Sequence, residues 1–195
     1  MPILNHTRSS IRSLFLAIVL GASLPAKAAE NFSAPEYKIK AAFLYNFIVL
    51  TEWPTNVFKS AKTPFRIGVL GKDPFGRVLE ETMKGKIVHG RKIEIDRISG
   101  KDDAGLKTCH LLFIAHSEES HVEKIISSLE KLPILTVGEI DRFNYRGGMI
   151  WLKKEKEEIK FRIRRGTAQE ANLKLSSKLL ALSINAAPGK NREAK

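Results

Sequence analysis

The sequence predicts an α/β fold: a single compact domain with a mixed, mostly parallel sheet and helices packed on it. Short apolar runs alternate with helical stretches through the middle of the chain, as in parallel sheets whose strands are joined by helices. The last third adds two alternating runs separated by charged residues, which is typical of an antiparallel hairpin. Because no internal repeat or interdomain linker divides the chain, we expect one core.

The N-terminus has the pattern of a secretory signal peptide. Arg8 and Arg12 form a basic lead without acids, an apolar run follows, and Ala26 and Ala28 are the small residues of a cleavage site. The apolar run is shorter than the roughly 20 residues that a membrane-spanning helix needs. We predict a cleaved signal peptide over 1–28, an α/β domain over 29–184 and a disordered basic tail over 185–195. The mature chain is expected in the periplasm, without direct membrane insertion.

The chain is strongly basic, with 33 Lys and Arg against 21 Asp and Glu and a formal net charge of +12. In a cytosolic protein this balance would favour nucleic-acid binding, but an exported protein seldom meets nucleic acid. We therefore expect no nucleic-acid partner and favour acidic protein surfaces or anionic lipid heads. The alternative is that the charge only keeps a small exported domain soluble.

The first helix is predicted to start at Ser33. Ser33 and Glu36 have the spacing of a capping box, and Pro35 suits the first helical turn. Lys40 is placed on the solvent side, as are Lys38 and Tyr45. The predicted buried face consists of apolar positions three and four residues apart, with one Asn among them: Ile39, Ala42, Phe43, Asn46, Phe47 and Leu50. Such an amphipathic stretch indicates a core helix of a globular domain.

The middle of the chain is predicted to alternate strands and helices. Residues 65–71 form a β-rich run ended by glycine, and Asp73 followed by Pro74 is the predicted cap of a helix. Further strands are predicted over 91–98, 110–116 and 132–139. The helix between the last two is predicted to be capped by Ser117. Its expected buried stripe is Val122, Ile125, Ile126 and Leu129.

The C-terminal third is predicted as a hairpin followed by one helix. The runs MIWLK and EIKFRIR lie on either side of a charged loop, KEKEE. Thr167 and Glu170 have the spacing of a second capping box, which would open the final helix. Its predicted apolar face is Ala171, Leu175, Leu179 and Leu182.

Cys109 is the only cysteine, so the chain cannot form an internal disulfide. It stands at the head of the apolar run CHLLFIA, which favours a buried thiol. Pairing between the Cys109 residues of two chains is the alternative.

No catalytic residue, metal site or cofactor is predicted. The sequence lacks the nucleophile elbow, the zinc-protease pattern, paired cysteines and the glycine-rich phosphate loops. His116 and His121 flank two glutamates but are five residues apart, whereas a metal-binding pair on one helix needs a spacing of three or four.

One candidate ligand site is the turn Gly71, Lys72 and Asp73. It follows a predicted strand and precedes a predicted helix, where backbone amides are able to hold an anion. The alternative is a tight turn with a capping residue.

One candidate partner-binding surface is a basic row near the last strand: Lys160, Arg162, Arg164 and Arg165. A single-sign row on one strand face is suited to an acidic partner. The alternative is an ordinary solvated strand face.

Seven segments of the chain also match a known family, in the same order over residues 37–183. They are AAFLYNFIVLTEWP, IGVLGKDPFG, the GK-V-GR-I spacing in GKIVHGRKIEI, CHLLFIA, ILTVGE, FNYRGGMI and ANLKLSSKLLALS. Together they resemble the YfiR-like family of periplasmic proteins. The resemblance implies an α/β fold that tends to form homodimers and a regulatory rather than catalytic role. Its best-known members bind the periplasmic domain of an inner-membrane diguanylate cyclase of the YfiN type and repress it, which lowers cyclic-di-GMP and biofilm formation.

This chain departs from the family pattern at two places. The best-known member has several cysteines and redox-sensitive disulfides, whereas this chain has Cys109 alone. The tract FRIRR stands where the family often has RFEIN, so Arg162 occupies a position where an acid is usual. We therefore expect a periplasmic regulator that represses an inner-membrane receptor, without redox sensing through an internal bridge. A periplasmic sensor that binds a small molecule at the turn 71–73 is the alternative.

Overall fold

The structure is a computed structural model that describes residues 34–99 and 103–184. The predicted signal peptide, the Ser33 cap and the basic tail lie outside the described residues.

Seven strands form the main sheet. They are β2 (Phe65–Leu70), β3 (Ile87–Val88), β4 (Arg91–Ile98), β5 (Leu111–Ile114), β6 (Leu135–Gly138), β7 (Ile150–Glu155) and β8 (Glu158–Ile163). Their spatial order is β3-β4-β2-β5-β6-β7-β8. The five strands from β4 to β7 in this order are parallel, while β3 and β8 pair antiparallel at the two edges. The predicted mixed, mostly parallel sheet is confirmed.

Helices cover both faces of the sheet. Within the described part they are α1 (Ala34–Val49), α2 (Arg77–Met83), α3 (Asp103–Leu106), α4 (Val122–Ser128), α5 (Arg165–Glu170) and α6 (Ser177–Leu182). A second, two-stranded sheet pairs β1 (Thr51–Glu52) with β9 (Lys174–Leu175). It joins the end of α1 to the segment that precedes α6.

The core has two layers because the central strands are apolar on both sides. On β2, Ile67 and Val69 pack with α1 and α2, whereas Leu70 packs with α4 on the other face. All four residues of β5 are buried, as expected for a central parallel strand. β4 lies nearer the edge and has only its last residue, Ile98, buried.

The buried face of α1 only partly matches the predicted one. Phe47 is buried and Phe43 and Leu50 pack against the core, as predicted, but Ile39, Ala42 and Asn46 are exposed. The other core-facing positions are Tyr37, Lys40, Ala41, Leu44 and Ile48. The spacing was a poor guide because apolar residues surround this helix on nearly every side.

The second helix begins at Arg77 rather than at Pro74. The Asp73 carboxylate accepts a hydrogen bond from the backbone N–H of Phe75 at 2.8 Å, which closes a turn before the helix. Gly76, at φ 51°, then keeps the chain out of the right-handed helical region. Asp73 therefore stabilises a turn and does not cap α2.

Ser117 does not cap α4 either. A 3-10 turn over His116–His121 precedes this helix, and the Ser117 hydroxyl accepts a hydrogen bond from Lys72 N at 2.9 Å. The predicted apolar stripe does face the core, with Ile125 only partly buried.

The predicted final helix is broken into α5, β9 and α6. Thr167 lies inside α5, and Asn172 follows in the left-handed region at φ 58°. The second helical piece has its own cap, because the Ser176 hydroxyl accepts a hydrogen bond from Leu179 N at 3.1 Å. Leu182, predicted to be buried, is 62% exposed.

The hairpin loop is shorter than predicted, because Glu155 pairs with Glu158 and only Lys156 and Glu157 form the turn. Cys109 is buried, as predicted, and its thiol donates to the Gly105 carbonyl at 3.5 Å.

Candidate functional site

The carboxyl ends of the parallel strands meet along one edge of the sheet. Along the chain, β4 is added on one side of β2 and β5 on the other, so the strand order reverses direction between β2 and β5. Open α/β sheets bind ligands at such a switch point. The structure places the turn Gly71, Lys72 and Asp73 there, facing the segment that follows β5.

The polar groups of this turn are engaged within the protein. Lys72 N donates to the Ser117 hydroxyl, and Asp73 pairs with Arg97 at 3.0 Å. A Cβ on Gly71 would lie 2.4 Å from the Ser117 hydroxyl oxygen, so the two segments are in tight contact. The Lys72 side chain is exposed, but its amide is already hydrogen-bonded.

Arg97 connects the turn 71–73 to the elements beside it. Its guanidinium contacts both Asp73 and Glu80 and donates to the Gly76 carbonyl at 3.0 Å. The hydrogen bond from Arg97 lowers the pKa of Glu80, and the same bond raises the pKa of Arg97. The turn is thereby tied to both β4 and α2.

A buried charge network lies at the same edge. Lys40 is 3% exposed, and its ammonium lies 2.6 Å from Glu36 and 2.5 Å from Glu139. Tyr37 donates its hydroxyl proton to Glu139 at 3.0 Å, and Lys154 pairs with Glu36 at 3.1 Å. Burial acts to raise the pKa of Glu36, but the hydrogen bonds from the two lysines outweigh it, and the pKa is lowered. Opposite charges satisfy each other here, so the network fastens α1 to the end of β6.

The basic row is divided in the structure. Lys160 lies in the hairpin, 3.1 Å from Glu155 and 3.4 Å from Glu158. The hydrogen bond that Lys160 donates to Glu155 is the main cause of the raised pKa of Lys160. Lys160 stays charged, but the two carboxylates beside it offset that charge, so it contributes little to a positive surface.

The other three members of the row lie together at the end of β8 and the start of α5. Arg162 lies opposite Trp151, and its buried Nε has no hydrogen-bond partner among the described residues. Arg164 donates to the Asn144 carbonyl at 3.1 Å. Arg165 is exposed at the first position of α5.

The loop that follows β6 adds an aromatic residue that sequence reasoning missed. Tyr145 is 72% exposed, and the guanidinium of Arg142 lies 5.8 Å from its ring centroid. Arg146 holds the loop by a 2.5 Å pair with Glu123 and a 2.6 Å bond to the Glu119 carbonyl. In the sequence, only the family-matching segment FNYRGGMI pointed to this loop.

We define the Arg–Tyr surface as Arg142, Tyr145, Arg162, Arg164 and Arg165. Arg164 connects its two parts because it bonds the loop that carries Tyr145. A cavity of about 190 Å³ lies beside Arg164, with Ile126, Leu129 and Met149 among its apolar lining. Arginine and tyrosine are enriched where proteins bind one another. This chemistry suits a protein partner.

Two further properties bear on the kind of site. In the part of the chain that the structure describes, no three His, Cys, Asp or Glu side chains cluster as metal ligands would. Within residues 34–99 and 103–184, no helix has the length and apolar character needed to cross a membrane.

A search of curated proteins found no match. A family model described as YfiR/HmsC-like matches residues 37–184, from the first turn of α1 to just after α6. Members of this family are periplasmic regulators rather than enzymes. The match covers most of the chain and all strands of the main sheet, in agreement with the resemblance found in the sequence. This chain therefore belongs to the YfiR/HmsC-like family.

Proposed function

We propose that this protein is a periplasmic regulator that binds the periplasmic domain of an inner-membrane diguanylate cyclase and holds the enzyme inactive. Family membership is the observation that carries the proposal. The predicted signal peptide over 1–28 supports the location, and the absence of enzyme motifs in the sequence supports a non-catalytic role.

The Arg–Tyr surface is the proposed receptor-binding face. It combines an exposed tyrosine with four arginines. Arg164 lies beside a small cavity, and Arg162 lies opposite the buried Trp151. Arginine is suited to bidentate pairing with carboxylates. An acidic surface on the receptor is therefore the expected counterpart.

Repression by binding needs only a difference in affinity between two receptor states. Moving the receptor from about 99% active to about 99% inactive takes a difference of about 5.5 kcal/mol in binding free energy between the two states. A regulator that bound both states equally would change nothing, whatever its affinity. The proposed contact must therefore favour the inactive conformation.

Reversing the charge at Arg162, Arg164 and Arg165 together, each to Glu, is expected to abolish repression. Three repulsive contacts would replace three attractive ones. We therefore expect the affinity for the receptor to fall by at least about tenfold, which corresponds to about 1.4 kcal/mol of binding free energy. Cyclic-di-GMP in cells carrying this variant should rise to the level of a deletion strain. The receptor should no longer co-purify with it from detergent-solubilised membranes.

A variant with the same change in charge, Lys59, Lys62 and Lys107 each to Glu, is the matched control. These exposed lysines lie in the segments that precede β2 and β5, not in the elements that carry the Arg–Tyr surface, and repression should persist. Normal repression by the folded arginine variant would show that the receptor binds elsewhere. Unchanged cyclic-di-GMP in the deletion strain, with no membrane receptor recovered, would contradict the proposed function itself.

We also propose that two copies associate through the exposed face of α1. Ile39, Ala42, Asn46 and Val49 are exposed and follow a 3-4-3 spacing, which is that of a two-helix seam. An Asn within such a seam can pair with its own counterpart and set a dimeric register. A seam of about two heptads buries less than the roughly 800 Å² per partner of a standard interface, so we expect a weak dimer.

Sedimentation of the mature chain should therefore show a mass that rises towards twice the monomer with concentration. The variant Ile39→Glu/Val49→Glu should remain monomeric, because it places charges in the seam. Tyr145→Glu, which charges an exposed site on the opposite face of the sheet, should behave as the wild type. A dimer that survives the α1 variant would place the interface elsewhere.

A further inference from the structure

The outer edge of β4 is largely uncovered. β4 has eight residues, but β3 pairs only with Arg91 and Lys92. Residues 93–98 have a strand neighbour on the β2 side and none on the other side among the described residues. An exposed row of backbone N–H and C=O groups is a template for an added strand.

A groove of about 480 Å³ runs along this edge on the α2 side of the sheet. Its apolar lining comes from alternate residues of β4 and from the two elements before it: Met83, Ile87, Ile93 and Ile95. Ile87 is 61% exposed. Lys84, Lys86 and Lys92 line the same groove.

The uncovered edge and the groove describe one site. A strand added beside β4 would place every second side chain on the α2 side, next to Ile93 and Ile95. That is where the groove lies. The groove therefore corresponds to the side-chain slot of a neighbouring strand, and the edge of β4 provides the backbone partners.

The charges around the groove indicate what the added strand carries. Lys84 and Lys92 form no ion pair among the described residues, and Lys86 lies 3.9 Å from the ring centroid of Tyr45. Glu80, the one acid in the lining, is already paired with Arg97. Three cations around an apolar floor suit a segment with apolar side chains flanked by carboxylates.

The chain's own C-terminal tail does not have this chemistry. Residues 185–195 contain Lys190, Arg192 and Lys195 against Glu193, and they lack large apolar side chains. The basic groove would repel such a segment. The charges therefore favour a segment of a partner protein over this tail.

We propose that the edge of β4 accepts an extended, acidic-apolar segment of a partner protein as an additional strand. Its apolar side chains enter the groove next to Ile93 and Ile95, and its carboxylates lie near Lys84 and Lys86. The site is at the opposite edge of the sheet from β8, so it is separate from the Arg–Tyr surface. It does not depend on the proposed receptor.

The probe is a blocked, fluorescently labelled peptide, TETVTVTET, whose groove-facing residues are Glu, Val, Val and Glu. Threonine on the other face favours the extended conformation. The matched peptide TKTVTVTKT differs only in the sign of its charges. Fluorescence anisotropy with the mature chain should show binding of the acidic peptide, at least about tenfold tighter than the basic one.

Two further readouts identify the site. Lys84→Glu/Lys86→Glu should weaken binding of the acidic peptide by at least about tenfold, while Lys107→Glu/Lys124→Glu should leave it unchanged. Among residues 93–98, the backbone amides that point away from β2 should exchange more slowly on binding, because a new ladder protects them. Equal affinity for both peptides, no effect of the Lys84/Lys86 variant, or unprotected amides would each overturn the proposal. Binding of anionic phospholipid vesicles without binding of the peptide would also overturn it and identify a lipid-facing surface.

Discussion

Replacing Lys40 with Met is expected to lower the free energy of unfolding by about 3–5 kcal/mol, the usual cost of removing one partner from a buried ion pair. The ammonium of Lys40 is the shared partner of Glu36 and Glu139. Without it, Glu139 remains in a site with little access to water, where the hydroxyl of Tyr37 is its one remaining side-chain hydrogen-bond donor among the described residues. Urea unfolding at neutral pH measures the loss.

Two matched variants separate this effect from a general loss of helix stability. Lys38→Met alters an exposed lysine of the same helix and should change stability by only about 0.5 kcal/mol. Adding Glu139→Gln to Lys40→Met removes the orphaned charge and should recover part of the loss. A loss below about 1 kcal/mol for Lys40→Met would show that the network contributes little.

Acidification tests the same network from the side of its acids. Although burial acts to raise it, the pKa of Glu36 is lowered from its ordinary value of 4.5 by hydrogen bonds from Lys40 and Lys154. Its contribution to stability is therefore present above pH 4.5 and is lost as the pH falls through the lowered value.

His110 is expected to make the protein markedly less stable between pH 6.5 and about pH 4. The side chain is 5% exposed, its ring stacks on Phe58 with centroids 4.5 Å apart, and its Nδ1 accepts a hydrogen bond from Arg66 N at 2.9 Å. Burial, with the nearby charges of Arg91 and Arg66, lowers the pKa of His110 from 6.5 to about 4. This geometry holds the imidazole neutral.

The sign follows from proton binding. Below pH 6.5 the unfolded chain protonates this histidine while the folded chain does not, so protons favour unfolding. The stability that is present above pH 6.5 is lost as the pH falls towards 4, by up to about 3 kcal/mol at about 1.4 kcal/mol per pH unit.

Urea unfolding of the wild type and of His110→Gln, at several pH values in this range, measures the effect. The variant should be less stable at neutral pH because it loses the aromatic stack, but its pH dependence should be flatter. His121→Gln changes an exposed histidine, so its free energy of unfolding should depend on pH as steeply as that of the wild type. A slope unchanged by His110→Gln would assign the pH dependence to other groups.

Most strands of the sheet were predictable because their amino-acid composition reflects whether one or both of their faces are buried. β5 and β6 are apolar at nearly every position, which only a strand covered on both faces tolerates. β4 alternates apolar and charged residues, and its side chains are accordingly only partly buried or exposed up to Ile98. Local pattern and final environment agree in these elements.

The candidate site was only partly predictable. The arginines at the end of β8 were identified from their row, but the hairpin brings Lys160 between two glutamates and removes it from the positive surface. Tyr145 joins the surface because a loop after β6 is bound to Arg164, a contact between residues far apart in the chain. Neighbours of this kind leave no periodic signal.

The sequence by itself determined the α/β class, every strand of the main sheet except β3, the burial of Cys109 and the family, because each of these leaves a pattern in neighbouring residues. Only the tertiary structure decided which side of α1 faces the core, where α2 begins and which cations stay free. Lys40 shows the reason: the residue that neutralises it within the fold, Glu139, lies 99 positions away. A charge becomes compatible with burial only when its partner arrives, and folding is what brings that partner.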